Sequence, residues 1–239
     1  MDLKANIIAR FLGLPISNSF IASIIAFLIL AISAYIFSRN VKLVPGPFQN
    51  LVESIIEFIY NTAKETVGNE NKVKAFFPLV ATFFLYILCS NWLGLTPIFG
   101  TIGFFKGTVF TPLFRPVNSD LNSTLSMALI SAIATQYFGI KYLGLWKHLG
   151  RYFSFNPLYL FVGLLELIGE FTKIISLSLR LYGNIVAGDA VITTFASMAG
   201  FIVPLPFMGL EVIVGFVQAA IFAMLTVAFM TILTSHEEF

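Results

Sequence analysis

The chain has 239 residues, 58% hydrophobic and 11% charged, with a mean hydropathy of +0.90. A domain in water would lack the polar surface to cover such a core, so the composition implies an integral membrane protein. A net charge of +2 without a long basic tract excludes a nucleic-acid partner, and a single cysteine, Cys89, excludes an intrachain disulfide and reads as an apolar helix filler.

Uncharged runs at 11–38, 75–105, 121–140, 190–210 and 212–235 approach or exceed the roughly 20 residues a helix needs to cross about 30 Å of hydrocarbon. Their length excludes a barrel of short alternating strands. The first crossing is expected over residues 18 to 37. Arg39 and Lys42 follow it as a stop-transfer flank, so the run from Phe11 to Ser38 reads as a span rather than a cleaved signal segment. Residues 48 to 68, FQNLVESIIEFIYNTAKETVG, put Leu51, Ile55, Ile59 and Ala63 on one helical side and Glu53, Glu57, Asn61 and Lys64 on the other. Such a helix lies on the membrane or against a partner.

A second crossing is expected over 76 to 95, with Asn91 and Trp92 as interfacial anchors. Residues 96 to 119, rich in Gly, Pro and Phe, suggest no regular element. Asn118, Ser119 or Asp120 can cap the next helix, which reaches about Tyr137 and is followed by Lys141, Lys147 and Arg151. His148 and His236 sit among charged neighbours without metal-ligand spacing and are expected to be solvated, so neither a metal nor a cofactor is expected. From Pro157 to residue 198 no proline or strong stop intervenes, giving a helix about 63 Å long, twice the membrane thickness. Either it breaks near Gly183 or Gly188 into two spans or it lies steeply tilted. GFIVPLPFMG marks a turn, and residues 210 to 234 return as the last helix.

The fold expected is therefore an all-α integral membrane protein with about five crossings, one interfacial amphipathic helix and a closing hairpin of two long helices. Residues 1–239 make a single membrane domain: an N-terminal span and interfacial helix over 1–74, middle spans over 75–150 and the hairpin over 151–239. Eight of the 14 basic residues (Arg39, Lys42, Lys64, Lys72, Lys74, Lys141, Lys147 and Arg151) fall in two connections, which the positive-inside rule makes cytoplasmic. Lys4, Arg10, Lys106 and Arg115 then face outward with the N-terminus, and the C-terminus faces inward.

Lys173 and Arg180 fall inside the long helix. Glu166, Glu170, Lys173, Arg180 and Asn184 follow steps of 4, 3, 7 and 4 and share one face. An ion in hydrocarbon costs from about 2.5 to more than 10 kcal/mol, so this stripe must face protein or water. Asp189, nine residues beyond Arg180, points the opposite way about 13 Å further along. Glu211 and Gln218, seven apart on the last helix, share a face, and folding at the proline turn brings them to the depths of Asp189 and Arg180. Acids at two depths can relay protons or bind cations through water, while a guanidinium that keeps its proton repels a cation between them. Arg180 thus reads as a plug between two half-pathways, and small residues at Ser176, Ser178, Gly183, Ala187 and Gly188 allow a partner helix to come close.

Plainer alternatives exist for each residue. Arg180 could be an ion pair with Glu166 or Glu170, Lys173 could snorkel to the inner surface, Glu211 could be a solvated helix start, and Asp120 a cap. No nucleotide-binding loop, nucleophile triad or Cys-His cluster is present, so catalysis on a soluble substrate has no support. A stand-alone secondary transporter using Arg180 for an anionic substrate is the alternative function, although the paired halves of such folds are missing.

SLSLRLYGNIVAGDAV, followed after the turn by LEVIVGFVQAAIFAMLTVAF, resembles subunit a of F-type ATP synthases. The likeness rests on Arg180, Asn184, Asp189, Glu211 and Gln218 in order, and extends more weakly to FFPLVATFFLYILCSNWLGLTP and NSDLNSTLSMALI. It implies two long tilted helices cradling a rotating ring of c subunits, with peripheral-stalk b subunits and the lipid bilayer as further partners. Arg180 would face the ring carboxylate, Asn184 and Gln218 would position it, Asp189 and Glu211 would belong to the outward half-channel, and Glu166 and Ser176 to the inward one. Members of the family often carry a histidine at the position of Asp189 or Glu211. Two acids here leave a shared proton or a sodium ion open. Glu170, on the same stripe, joins the candidate ion pathway. The resemblance implies a non-catalytic subunit of a complex in an energy-coupling membrane, and the length and charge of the first inward loop point to a bacterial inner membrane.

Overall fold

A computed structural model describes residues 7–11, 14–96, 99, 102–106, 109–152, 157–200 and 203–235. Its seven long elements are helices α1 (Asn18–Arg39), α2 (Pro47–Val67), α3 (Glu70–Gly94), α4 (Leu121–Leu143), α5 (Leu145–Tyr152), α6 (Pro157–Ala199) and α7 (Pro204–Thr234). The chain is an all-α integral membrane protein: α1, α3, α4 and α7 are each long and apolar enough to cross a bilayer. Two short antiparallel ladders stand outside the helices. Ile7–Phe11 pairs with Leu14–Ser17, and Gly103–Lys106 with Val109–Pro112, inside the stretch for which the sequence suggested nothing regular. Aromatic and β-branched residues there favour extended backbone.

The helix boundaries follow local chemistry. Ser17 caps α1 by accepting from the Phe20 amide, Asn69 caps α3, and Asp120 caps α4 by accepting from the Asn122 amide. Asp120 also accepts from Ser19 Oγ at 2.5 Å, tying α1 to α4. Glycines at positive φ, Gly68 (69°) and Gly200 (73°), stop α2 and α6. Where α2 meets α3, outside the spans, Lys64 pairs with Glu70 at 2.7 Å, and this hydrogen bond, more than the charge, raises the Lys64 pKa.

The core lies where α3, α4, α6 and α7 meet. Phe83 packs edge-on against Phe222 at 5.4 Å, Phe84 against Phe216 at 5.6 Å and Phe76 against Phe138 at 4.8 Å. Lipid tails are as apolar as these side chains, so close packing and interhelical hydrogen bonds hold the bundle rather than escape from water. Thr124 bonds Ser178 at 3.0 Å and Ser131 bonds Thr226 at 2.9 Å, clasping α4 to α6 and to α7. The amphipathic α2 buries Ile59 and Ala63 against this bundle, while Leu51, expected on the same side, is exposed.

The long helix settles one alternative. α6 runs unbroken through Gly183 and Gly188 for 43 residues, about 64 Å, so it is not two spans. α7 begins at Pro204, earlier than the expected residue 210, because proline at the first helical positions needs no amide partner.

Candidate functional site

Along α6 the faces separate by burial. Leu177, Ser178, Leu181 and Ile185 are buried against the bundle, whereas Ser176, Arg180, Gly183 and Ala187, at steps of 4, 3 and 4, are exposed. Arg180 therefore stands on an uncovered strip of small residues. Among the described residues its guanidinium forms one hydrogen bond, Nη2 donating to Ser176 Oγ at 3.4 Å, and no salt bridge. The alternative of an internal ion pair fails on Glu170, which is bound to Lys173 at 2.7 Å instead. Glu166 lies half-buried on the same helix.

Lys173 does not reach for the inner surface. Its ammonium also sits over the Phe229 ring at 4.7 Å, so Glu170 and α7 together hold it between the helices. Ser178 and Gly188, grouped by sequence with the open small residues, are turned inward: Ser178 bonds Thr124, and Gly188 lies under the Glu211 carboxylate.

The hairpin sets Gln218, expected at the depth of Arg180, against Asn184 instead. Asn184 Nδ2 donates to Gln218 Oε1 at 2.8 Å, one helical turn past Arg180. Glu211 is 6% exposed and two turns inside α7, which overturns the reading of it as a solvated helix start. A Cβ at position 188 would overlap both Glu211 oxygens, so any side chain there pushes the end of Glu211 aside. Asp189 lies within Coulombic range of Glu211, and Arg115 within range of Asp189.

Arg115 was not singled out by sequence. It is buried, with Nε donating to Ser119 Oγ at 2.9 Å, and its sequence signal is weak: a single cation between Lys106 and Asp120. Asn91 is not an interfacial anchor. It is buried, donates to the Gly215 carbonyl at 3.1 Å and accepts from Asn118 Nδ2 at 2.6 Å. Trp92, by contrast, remains exposed and donates its indole N–H to the Val212 carbonyl at 3.2 Å.

His148 is likewise not solvated: it is 3% exposed, with Nε2 donating to Gln136 Oε1 at 2.7 Å. His236 lies outside the described residues. Among the described residues no group of three His, Cys, Asp or Glu side chains could hold a metal ion.

Arg180, without a salt bridge among the described residues, thus lies on α6 between the Lys173–Glu170 pair and the end of the hairpin that carries Asp189 and Glu211. The ATP synthase A chain family matches residues 20–231. The chain belongs to that family. It is also similar to ATP synthase subunit a of Geotalea daltonii, 38% identical over 204 residues, covering 84% of this chain and 80% of the relative. The subunit a of Geotalea uraniireducens shows the same identity and coverage. The matched residues take in the whole of α4 and α6, and α7 as far as Thr231.

Proposed function

We propose that this chain is the ion-conducting stator subunit of a rotary ATP synthase, passing protons to and from the carboxylates of a c ring. The observation that carries the reading is Arg180, a permanent cation without an acidic partner among the described residues, on an uncovered strip of small residues. A carboxylate arriving there on another subunit is ionised by the guanidinium, whereas the same group in lipid keeps its proton. Family membership supports the reading, since the relatives are ATP synthase subunits.

In this account Asp189 and Glu211 serve the outward half-channel, and Glu166 and Ser176 the inward one, with Glu170 in its wall under the hold of Lys173. Asn184 and Gln218 keep α6 and α7 in register beside Arg180. Arg180 separates the two wet ends, so an ion crosses only by riding the ring. Each charge contributes about 2.3 kcal/mol per 100 mV, and several must cross for each ATP made elsewhere in the complex. The chain makes no ATP itself. α6 is tilted across the ring, the complex includes peripheral-stalk b subunits, and the basic connections orient the C-terminus to the cytoplasm of a bacterial inner membrane.

The test is Arg180→Ala in the reconstituted complex. Assembly survives, because among the described residues the side chain makes only the 3.4 Å hydrogen bond to Ser176 of its own helix, and ATP-driven proton pumping is lost. Normal pumping by the assembled variant contradicts the proposal.

A further inference from the structure

A groove of about 460 Å³ runs between α4 and α6, lined by Leu129, Ile133, Tyr137 and Ile140 on one side and Phe171 and Ile174 on the other. From Leu129 to Ile140 it extends about 17 Å along α4, close to half of the roughly 30 Å hydrocarbon thickness, or one leaflet. Phe171 precedes Arg180 by nine residues, half a turn round the helix, so at Phe171 the groove opens away from the exposed arginine, while Glu170 at its edge turns toward the Arg180 stripe. At Phe171 the groove is therefore not part of the strip through which Arg180 would meet a ring.

The ends of the groove differ. Gln136, in its wall, bonds His148 at 2.7 Å and donates to the Tyr152 hydroxyl at 3.3 Å, which fixes α5 across one end. Lys141 follows Ile140 directly, and Lys147 precedes His148. Beside them Trp146, 85% exposed, stands out from α5 as an interfacial aromatic does. Between Asp120 and Glu166 the chain has three basic residues and no acid. The one acid in the groove wall, Glu170, is neutralised by Lys173.

An apolar channel one leaflet long that ends in uncompensated cations fits one class of occupant. We propose that the α4–α6 groove binds an anionic phospholipid, its acyl chain along Ile133 and Phe171 and its headgroup on Lys141 and Lys147. Each lysine attracts an anionic headgroup and leaves the apolar wall indifferent to which phospholipid supplies the chain.

The test uses the intact complex in vesicles of equal phosphatidylcholine and phosphatidylglycerol. A photoreactive benzophenone residue replaces Ile133, which is 67% exposed in the groove, or Phe27 on α1, 62% exposed, as a reference. At Ile133 the phosphatidylglycerol adduct should exceed the phosphatidylcholine adduct about five- to tenfold. At Phe27 the two should be near equal, and Lys141→Gln with Lys147→Gln should bring Ile133 to the Phe27 ratio. Equal ratios at the two positions, a ratio unmoved by the lysine substitutions, or an adduct to a protein helix would overturn the proposal. None of these results bears on Arg180, whose role is read from pumping.

Discussion

Ten residues before Arg180, Glu170 is bound to Lys173 at 2.7 Å; nine residues after it, Asp189 lies beside a second acid, Glu211, with Arg115 at Coulombic range. The inward acid is neutralised on its own helix, and its partner is pinned by an aromatic ring of α7. Asp189 lies within Coulombic range of Glu211 across the hairpin, and the Glu211 carboxylate is buried against Gly188. A neutralised pair is a clasp, whereas two acids crowded together exchange protons or share one. α6 thus carries an ion-paired end and an end with a second acid nearby on α7, with Arg180, which has no salt bridge among the described residues, between them.

The sharpest way to break this contrast is at the outward end. Gly188→Val would drive a branched side chain into the Glu211 carboxylate, and coupled transport should fall to background with loss of detergent-stable complex. Adding Glu211→Gly should restore the complex without restoring transport. A Gly188→Val complex of normal stability would show that the helices part easily there.

The inward end should respond differently. Glu170→Leu alone leaves Lys173 without its partner between helices and should destabilise the assembly by about 1 to 3 kcal/mol, read from its thermal unfolding. Glu170→Leu with Lys173→Leu should recover most of that loss, because an apolar pair can replace an ion pair at little cost. If the double variant is no better than the single one, the pair is more than a clasp.

A smaller effect is expected at the middle. Asn184→Leu removes the 2.8 Å bond to Gln218, which is 4% exposed and would lose its partner across the hairpin. The cost is about 1 kcal/mol, and ATP-driven pumping should be lowered several-fold but not abolished. Pumping at the unsubstituted rate would separate this bond from the alignment of Arg180.

Much of this arrangement could be read from residue spacing, because membranes force helices and helices fix which residues share a face. The uninterrupted pattern from Pro157 yields the 43-residue α6, and the seven-residue step from Glu211 to Gln218, folded at the turn, yields the depth of Gln218 to within a turn of Arg180, though not its bond to Asn184. What spacing cannot show is a partner distant in sequence. His148 looked solvated because its neighbours are charged, yet Gln136 of another helix buries it. Lys173 looked free to snorkel, yet Glu170 and Phe229 hold it. Arg115 comes within Coulombic range of Asp189 through a loop whose path no periodicity encodes.

The barrier role of Arg180 is tested most directly by passive proton flow through vesicles that hold the complex with its ring stalled and no nucleotide. If the guanidinium keeps the two aqueous ends apart, Arg180→Ala opens a proton leak that a c-ring carboxylate blocker abolishes. Vesicles of that variant as tight as the unsubstituted ones would contradict it.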